Sequence, residues 1–408
     1  MRMFNRLGAA AALATMAMPA HAGPWVAGWT TSPVRPSAEQ ALSDAQYRGA
    51  TVRQVVRVTI GGRAVRVRFS NRFGATPLRI AGAGIALATG PAAASIREDS
   101  HRALTFGGKA AVEIPAGADF WSDPVALPVT ALADLAISTR FADLPLQQTG
   151  HPGARTRSWI AQGERLSDTA FAGAAPVERW FQIAAVDVDA APTARAIVAL
   201  GDSITDGYGV KDGRNQRWTD GLARRLAANR ATRGVAVLNH GIGGNCLLVE
   251  CLGPNALSRF DSDVLSQPGA RYLILLEGIN DLGGLARETP ASAEERRAHV
   301  DRMIAGYAQV VARARAKGLK VIGGTVMPFM GNAYYHPDTA AEGSRQTVNA
   351  WIRTPGNFDA VIDFDRIVRD PTQPDRLLPA YDSGDHLHPS MAGYQAMADA
   401  VPLALFAK

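Results

Sequence analysis

The sequence predicts an α/β unit built on a parallel sheet, preceded by an all-β sandwich of jelly-roll type, and three observations carry that expectation. From residue 51 to about 141, apolar residues alternate with others at period two, and turn residues interrupt the pattern about every ten positions. From residue 194 onward, apolar runs of about five residues alternate with helical patterns, the mark of a parallel sheet covered on both faces. The chain has 408 residues, 47% apolar and 20% charged, enough for two or three buried cores. That composition excludes a disordered tail, a collagenous repeat and a disulfide miniprotein.

Taken in order, residues 1–22 read as a secretory signal peptide. Arg2 and Arg6 form a basic start, residues 7–19 an apolar stretch, and Ala20-His21-Ala22 a small-residue cleavage site. That stretch is too short to span a membrane, which takes about 20 apolar residues, and no later run is long enough. The expectation is an exported protein with no membrane anchor. Its two cysteines, Cys246 and Cys251, then meet an oxidising environment that favours a disulfide between them. Nearness in sequence does not itself bring two Cα atoms into bonding range, so a pair of free buried thiols is the alternative. Net charge is +6, or +4 once Arg2 and Arg6 are removed, and the basic residues are spread along the chain. A nucleic-acid binder would gather them on one face, so none is expected as a partner.

Residues 23–191 carry the expected sandwich. Val56, Val58 and Ile60 alternate, Gly61-Gly62 turns the chain, and residues 65–69 alternate again. Short strand candidates follow at 78–80, 103–106, 111–114, 125–129 and 135–141, and residues 187–193, small and proline-containing, read as a linker. In residues 192–408 the strand candidates are 196–200, 235–239, 272–277, 320–325 and 361–364. The clearest helix covers 293–317, where Val300, Ile304, Tyr307, Val311 and Ala314 recur at helical spacing before Gly318.

In open α/β sheets the site lies beyond the carboxyl ends of the strands, and the chemically capable residues fall there. After the first strand, Gly201-Asp202-Ser203-Ile204-Thr205-Asp206-Gly207 puts Ser203 on a tight strand-to-helix turn. After the second, Asn239-His240-Gly241-Ile242-Gly243-Gly244-Asn245 can bring a backbone N–H close to a ligand. Gly278-Ile279-Asn280-Asp281 follows the third strand and offers a side-chain amide, and Asp385-His386-Leu387-His388-Pro389 near the C-terminus offers an Asp/His pair. A nucleophile, two kinds of oxyanion donor and a base with its orienting carboxylate are the parts of acyl transfer. His386 and His388 could be two ligands of a metal, but no third ligand motif accompanies them, so no metal is expected. Asp385, three residues before His388, can orient that ring. His240 reads as structural or pocket-lining, and His101, His151 and His299 as surface residues. His336, with Tyr334 and Tyr335 in the loop after the fourth strand, is a candidate substrate contact. The G-x-S-x-G elbow of the α/β-hydrolases is absent.

These four blocks, in this order, resemble the GDSL/SGNH hydrolases, the family named for its Ser, Gly, Asn and His residues. The resemblance runs over about 200 residues and implies a flavodoxin-like five-stranded sheet and an ester hydrolase that needs no cofactor. It implies Ser203 as nucleophile, with Asp385 and His388 completing a triad, and the Ser203 N–H, Gly244 and Asn280 as the oxyanion hole. Gly244 is matched by its place five residues after Asn239, ahead of Gly241 and Gly243. The strings Arg217-Trp218-Thr219-Asp220, Leu276-Glu277-Gly278-Ile279-Asn280-Asp281 and Ser383-Gly384-Asp385-His386-Leu387-His388-Pro389 look more specifically like a secreted subgroup of arylesterases and acylhydrolases associated with xylan-degrading bacteria. Phe69-Ser70-Asn71-Arg72-Phe73-Gly74 resembles the front domain of its longer members.

The expected substrate is an acetyl or short acyl ester of a carbohydrate or aryl alcohol, acetylated polysaccharide included. The loop 208–217 is polar and lacks the apolar residues of a lipid-binding lid. One alternative is a lipase or phospholipase-type acylhydrolase. Another is a carbohydrate-binding protein with an auxiliary hydrolase domain, for which Trp25, Trp29, Trp121, Trp159 and Trp180 are available.

Overall fold

The computed structural model describes residues 24–211 and 213–407, so the expected signal peptide lies outside the described residues. The second half forms a parallel sheet of Arg195–Gly201, Val235–Gly241, Ala270–Leu276, Lys320–Gly324 and Ala360–Ile362, in the order 2-1-3-4-5. This is the flavodoxin-like order, in which the loops leaving strands one and three diverge and open a crevice. The first three strands are buried almost end to end, which is why they read as continuous apolar runs rather than alternations. The long helix, Ala293–Ala316, starts at Ser292, whose side chain accepts the N–H of Glu295 while Glu295 accepts the N–H of Ser292. Val300, Met303, Tyr307, Val310 and Val311 form its buried stripe.

Three antiparallel sheets precede it, the smallest being the two-strand pair Gly150–His151 and Trp180–Phe181. The largest runs Ala175–Val177, Ser158–Gln162, Ala50–Arg57, Asp134–Asp143, Leu78–Leu87, Arg102–Leu104, with Val112–Ile114 also paired to Leu78–Leu87. The next runs Trp25–Thr30, Ile183–Asp189, Val65–Ser70, Asp119–Trp121. Buried side chains of these two, Val52, Ile80 and Ile137 from one and Val67, Phe69 and Val186 from the other, belong to a single apolar cluster.

Three features differ from expectation. Residues 125–129 make only isolated bridges, Val125 with Val65 and Val129 with Gly62. Trp25–Thr30 is a strand with no alternation to announce it, because nearly every side chain is covered. Most important, the start of the expected linker is sheet: Ile183–Asp189 is an inner strand between Trp25–Thr30 and Val65–Ser70. Asp187 looked like linker polarity, yet it is buried opposite Arg66 at 2.9 Å, and that partner makes its burial tolerable. The tryptophans form no common exposed face. Trp29 and Trp180 meet edge to face in the core, and Trp25 and Trp121 flank the Arg66 guanidinium at 4.7 and 4.5 Å.

The apolar core continues from the sandwich into the parallel sheet. Trp25–Thr30 packs on Val235–Gly241, the edge strand of that sheet. The Thr59 hydroxyl accepts the Val237 N–H at 3.0 Å and faces the carbonyls of Gly28 at 3.0 Å and Val237 at 3.1 Å. It therefore satisfies an edge peptide that has no neighbouring strand. No helix among the described residues is long and apolar enough to cross a membrane. Thr59→Val keeps the shape but strands the Val237 N–H, and the expected loss is about 1–3 kcal/mol, read from the urea unfolding midpoint. An unchanged midpoint would show that this edge is satisfied in some other way.

Candidate active site

Strand one ends at Gly201 and delivers Ser203 into a one-turn helix, Ser203–Asp206. The Asp202 carboxylate accepts the Ile204 N–H at 2.9 Å, and the N–H groups of Gly207 and Tyr208 both return to the Ser203 carbonyl at 2.9 Å. The turn is thus closed at both ends, which fixes the direction of the serine side chain. Facing it, the C-terminal segment places His388 Nε2 2.8 Å from Ser203 Oγ and His388 Nδ1 2.6 Å from Asp385 Oδ2. Asp385 Oδ1 accepts the N–H groups of Leu387 at 3.0 Å and His388 at 2.8 Å and the Ser383 hydroxyl at 3.0 Å.

Burial raises the pKa of Asp385, but the hydrogen bonds from the His388 ring and backbone outweigh it and hold the carboxyl below the usual carboxylate range. An anion there accepts the hydrogen bond of Nδ1–H, fixing the tautomer that leaves Nε2 free to accept from serine. His386 faces elsewhere, paired with Asp382 at 2.6 Å on the surface. The Tyr208 ring covers His388, with centroids 4.1 Å apart.

The second loop turns at Gly244, where φ is +68°, a left-handed conformation that favours glycine. Just after it, Cys246 and Cys251 are joined by a disulfide, Cα atoms 5.7 Å apart. Asn245 donates to the carbonyls of Leu252 at 3.0 Å and Pro254 at 2.9 Å, and Asp281 accepts the N–H groups of Leu247 at 2.8 Å and Leu248 at 3.0 Å. The third loop places Asn280 in the first turn of helix Ile279–Gly284, its amide nitrogen donating to the Asn245 carbonyl at 2.6 Å. A carbonyl can only accept, so this contact settles which way the amide points. Its Oδ1 then takes the Tyr335 hydroxyl at 2.7 Å, leaving one amide N–H free.

Tyr335, expected to touch substrate, is instead buried and braces Asn280, while Tyr334 and His336 stand exposed beside it. Asn332, which no sequence pattern singles out, joins the same loops. It donates to the Asp385 carbonyl at 2.8 Å and accepts the Tyr335 N–H at 2.9 Å.

Beneath the nucleophile turn lies a buried group of charges. Arg259 donates to the carbonyls of Gly201 and His240, to Asn245 Oδ1, to Ser32 Oγ and to Asp263 Oδ2, all within 2.7–3.1 Å. The Glu277 carboxyl, 3.7 Å from Arg259, has no hydrogen-bond partner for either oxygen. Burial, and then the neighbouring Asp202 carboxylate, push Glu277 well above its ordinary pKa. Burial likewise pushes Asp202 up to about 7, against the pull of the Ile204 N–H. His240 is wholly buried between Thr30 and Ser32, at 2.8 and 3.1 Å, and burial pushes its pKa down to about 3. It is a buried, hydrogen-bonded structural residue. His151, expected at the surface, is also buried, because a carboxylate on the nucleophile turn faces it. Among the described residues, no group of three or more His, Cys, Asp or Glu could hold a metal ion.

Residues 199–396 match the model of the GDSL-like lipase/acylhydrolase family. This part of the chain is similar to that family. The protein is accordingly a carboxylic ester hydrolase. The chain also resembles solved structures at low identity. One is a GDSL-like lipase from Bacteroides thetaiotaomicron, 21% identical, covering 52% of this chain and 87% of that one with a TM-score of 0.38. Another is a catalytic mutant of an acetylxylan esterase from Geobacillus stearothermophilus, 24% identical, covering 50% and 91% with a TM-score of 0.37. No curated protein gives a match.

Because Glu277 of the hydrolase has a raised pKa in the folded state, the stability it contributes is complete below its unfolded pKa and is lost as pH rises through the folded value. Glu277→Gln is therefore expected to match the parent in urea midpoint near pH 5 and to exceed it at alkaline pH, where the parent must hold a carboxylate without hydrogen bonds. Parallel midpoints across that range would show that Glu277 stays ionised.

Proposed function

We propose that the protein is an exported serine esterase that removes acetyl or other short acyl groups from carbohydrate or aryl alcohols, acetylated polysaccharide among them. The observation that carries this reading is the unbroken hydrogen-bonded relay from Ser203 through His388 to Asp385, at 2.8 and 2.6 Å, within the part of the chain that is similar to the GDSL-like family. His388 Nε2 takes the Ser203 proton as Oγ bonds to the ester carbonyl carbon. The oxyanion is held by the N–H groups of Ser203 and Gly244 and the free amide N–H of Asn280. Collapse breaks the ester C–O bond, His388 returns the proton to the departing alcohol, and water then releases the acid from Ser203 by the same route. Export is supported by the charge pattern of residues 1–22 and by the disulfide.

A second reading, an acylhydrolase for longer chains, is favoured by one observation. Val249 and Leu252, 53% and 64% exposed, stand on the disulfide loop beyond Gly244, and Tyr334, 54% exposed, stands beside Tyr335. These apolar side chains come from loops other than 208–217, whose polarity supports the short-acyl reading.

Ser203→Ala and His388→Ala should each abolish labelling by a fluorophosphonate and reduce turnover to near background, whereas His386→Ala should be much milder. If His386→Ala proves the more damaging histidine change, the base is misassigned. A chain-length series of p-nitrophenyl esters, run beside acetylated xylan, separates the two substrate readings. A rate maximum at two carbons with acetate release from xylan is expected, and a maximum at eight or more carbons would overturn it in favour of the longer-chain reading.

A further inference from the structure

The N-terminal unit reaches the nucleophile turn at one place. Beyond Gly150–His151, which pairs with Trp180–Phe181, the chain runs over Asp206 so closely that a Cβ on Gly153 would lie 2.0 Å from Asp206 Oδ2. Asp206 closes the turn that begins with Ser203, and its carboxylate is buried. The side chains that bond it come from that segment: His151 Nε2 at 2.9 Å and Arg155 Nη2 at 3.2 Å. His151 Nδ1 faces the Ser32 carbonyl at 2.9 Å. A carbonyl only accepts, so Nδ1 donates in that contact, and the ring is held between the Ser32 carbonyl and the Asp206 carboxyl. Burial raises the pKa of Asp206, but the charge and hydrogen bond of His151, with the charges of Arg155 and Arg217, bring it below the ordinary value. The carboxyl on this turn is thus held from the sandwich side of the chain by the Arg155 guanidinium and the His151 ring.

Arg155 extends this contact to the base. Its guanidinium lies over the Tyr208 ring at 5.5 Å, and that ring packs on His388. The Arg155 backbone is left-handed at φ +52°, a conformation a non-glycine residue keeps only where its surroundings impose it. Arg217 ties the same two segments through their backbones, donating to the carbonyls of Asp206 at 3.0 Å and Ala154 at 2.6 Å.

We propose that His151 and Arg155 are positioning residues for ester hydrolysis, holding Ser203 through Asp206 and His388 through Tyr208. The inference rests on the reading of Ser203 and His388 as nucleophile and base. Its physical basis is that a displacement of about 1 Å between reacting groups costs on the order of 100-fold in rate. Tyr208 joins the Ser203 turn to His388 on this side of the site, and Arg155 contacts both that ring and the Asp206 carboxyl. If these contacts merely joined two units, losing them would lower stability and leave turnover per folded molecule intact.

The test uses the full chain, p-nitrophenyl acetate as substrate and active sites counted by exhaustive fluorophosphonate labelling. Arg155→Met is expected to lower kcat per active site by about 10- to 100-fold with little change in KM. Arg155→Lys should recover part of the loss, because an ammonium can reach Asp206 but offers no flat face to Tyr208. Tyr208→Leu should also lower kcat, and the double variant should lose less than the product of the two single losses, since both act through one ring. Parent kcat per active site in Arg155→Met, whatever its melting temperature, would overturn the proposal, as would a raised KM at unchanged kcat, which would make Arg155 a substrate contact. Should Arg155→Met fail to fold, His151→Gln and Arg155→Lys carry the same kcat comparison, and parent values in both overturn it. Full turnover in Ser203→Ala would instead remove the triad reading, so the two failures are distinguishable in one assay.

Discussion

A guanidinium taken out of water needs an acceptor for each of its N–H groups, and Arg259 finds them where three parts of the chain converge. It binds the end of strand one at Gly201, the end of strand two at His240, the Gly244 loop at Asn245, and the front unit at Ser32. Asp263 lies 3.0 Å away to balance the charge. Burying such a group is tolerable only when every partner is in place. The positions of the nucleophile turn and the Gly244 loop are therefore coupled: neither can shift without stranding a buried cation. The raised pKa of Glu277 fits the same logic, since Asp263 already supplies one counter-charge to Arg259.

Much of this was legible in the sequence because parallel strands and the loops after them are local features. Strands one to five announce themselves as apolar runs, and the topology gathers the loops at their carboxyl ends along one edge, so Ser203, Gly244, Asn280 and His388 could be brought together without a structure. The Cys246–Cys251 bond was also expected, on the reading of residues 1–22 as an export signal. The features that were not legible depend on distant partners. Asp187 looks like linker until Arg66 stands across from it, and His151 looks like a surface residue until Asp206, 55 positions on, supplies an anion. The bond from the Tyr335 hydroxyl to Asn280 was not legible, because only the amide orientation of Asn280 reveals where that hydroxyl goes. Asn332 and Tyr208 act through a backbone carbonyl and a ring face, and neither leaves a mark in residue spacing.

The two halves of the chain share more than a boundary. Their apolar side chains form one cluster, and polar contacts cross between them at Thr59, Ser32, His151 and Arg155. A carbohydrate-binding module tethered beside a catalytic unit would have no need of such contacts. In this arrangement the sandwich completes a wall of the hydrolase, which explains why its tryptophans are spent on packing and on Arg66.

The covering of strand Val235–Gly241 has a consequence for how this chain can be divided. That strand is an outer edge of the parallel sheet, and the strand Trp25–Thr30 and the Thr59 hydroxyl are what stand against it. A fragment starting near residue 192 would match the region of family likeness, yet it would present a bare run of Val235, Ala236, Val237 and Leu238 with its peptide groups unpaired. Such an edge is a template for another copy of itself. The minimal catalytic fragment suggested by sequence likeness is thus, physically, a candidate for edge-to-edge aggregation, and the sandwich serves as the chain's own safeguard against self-association.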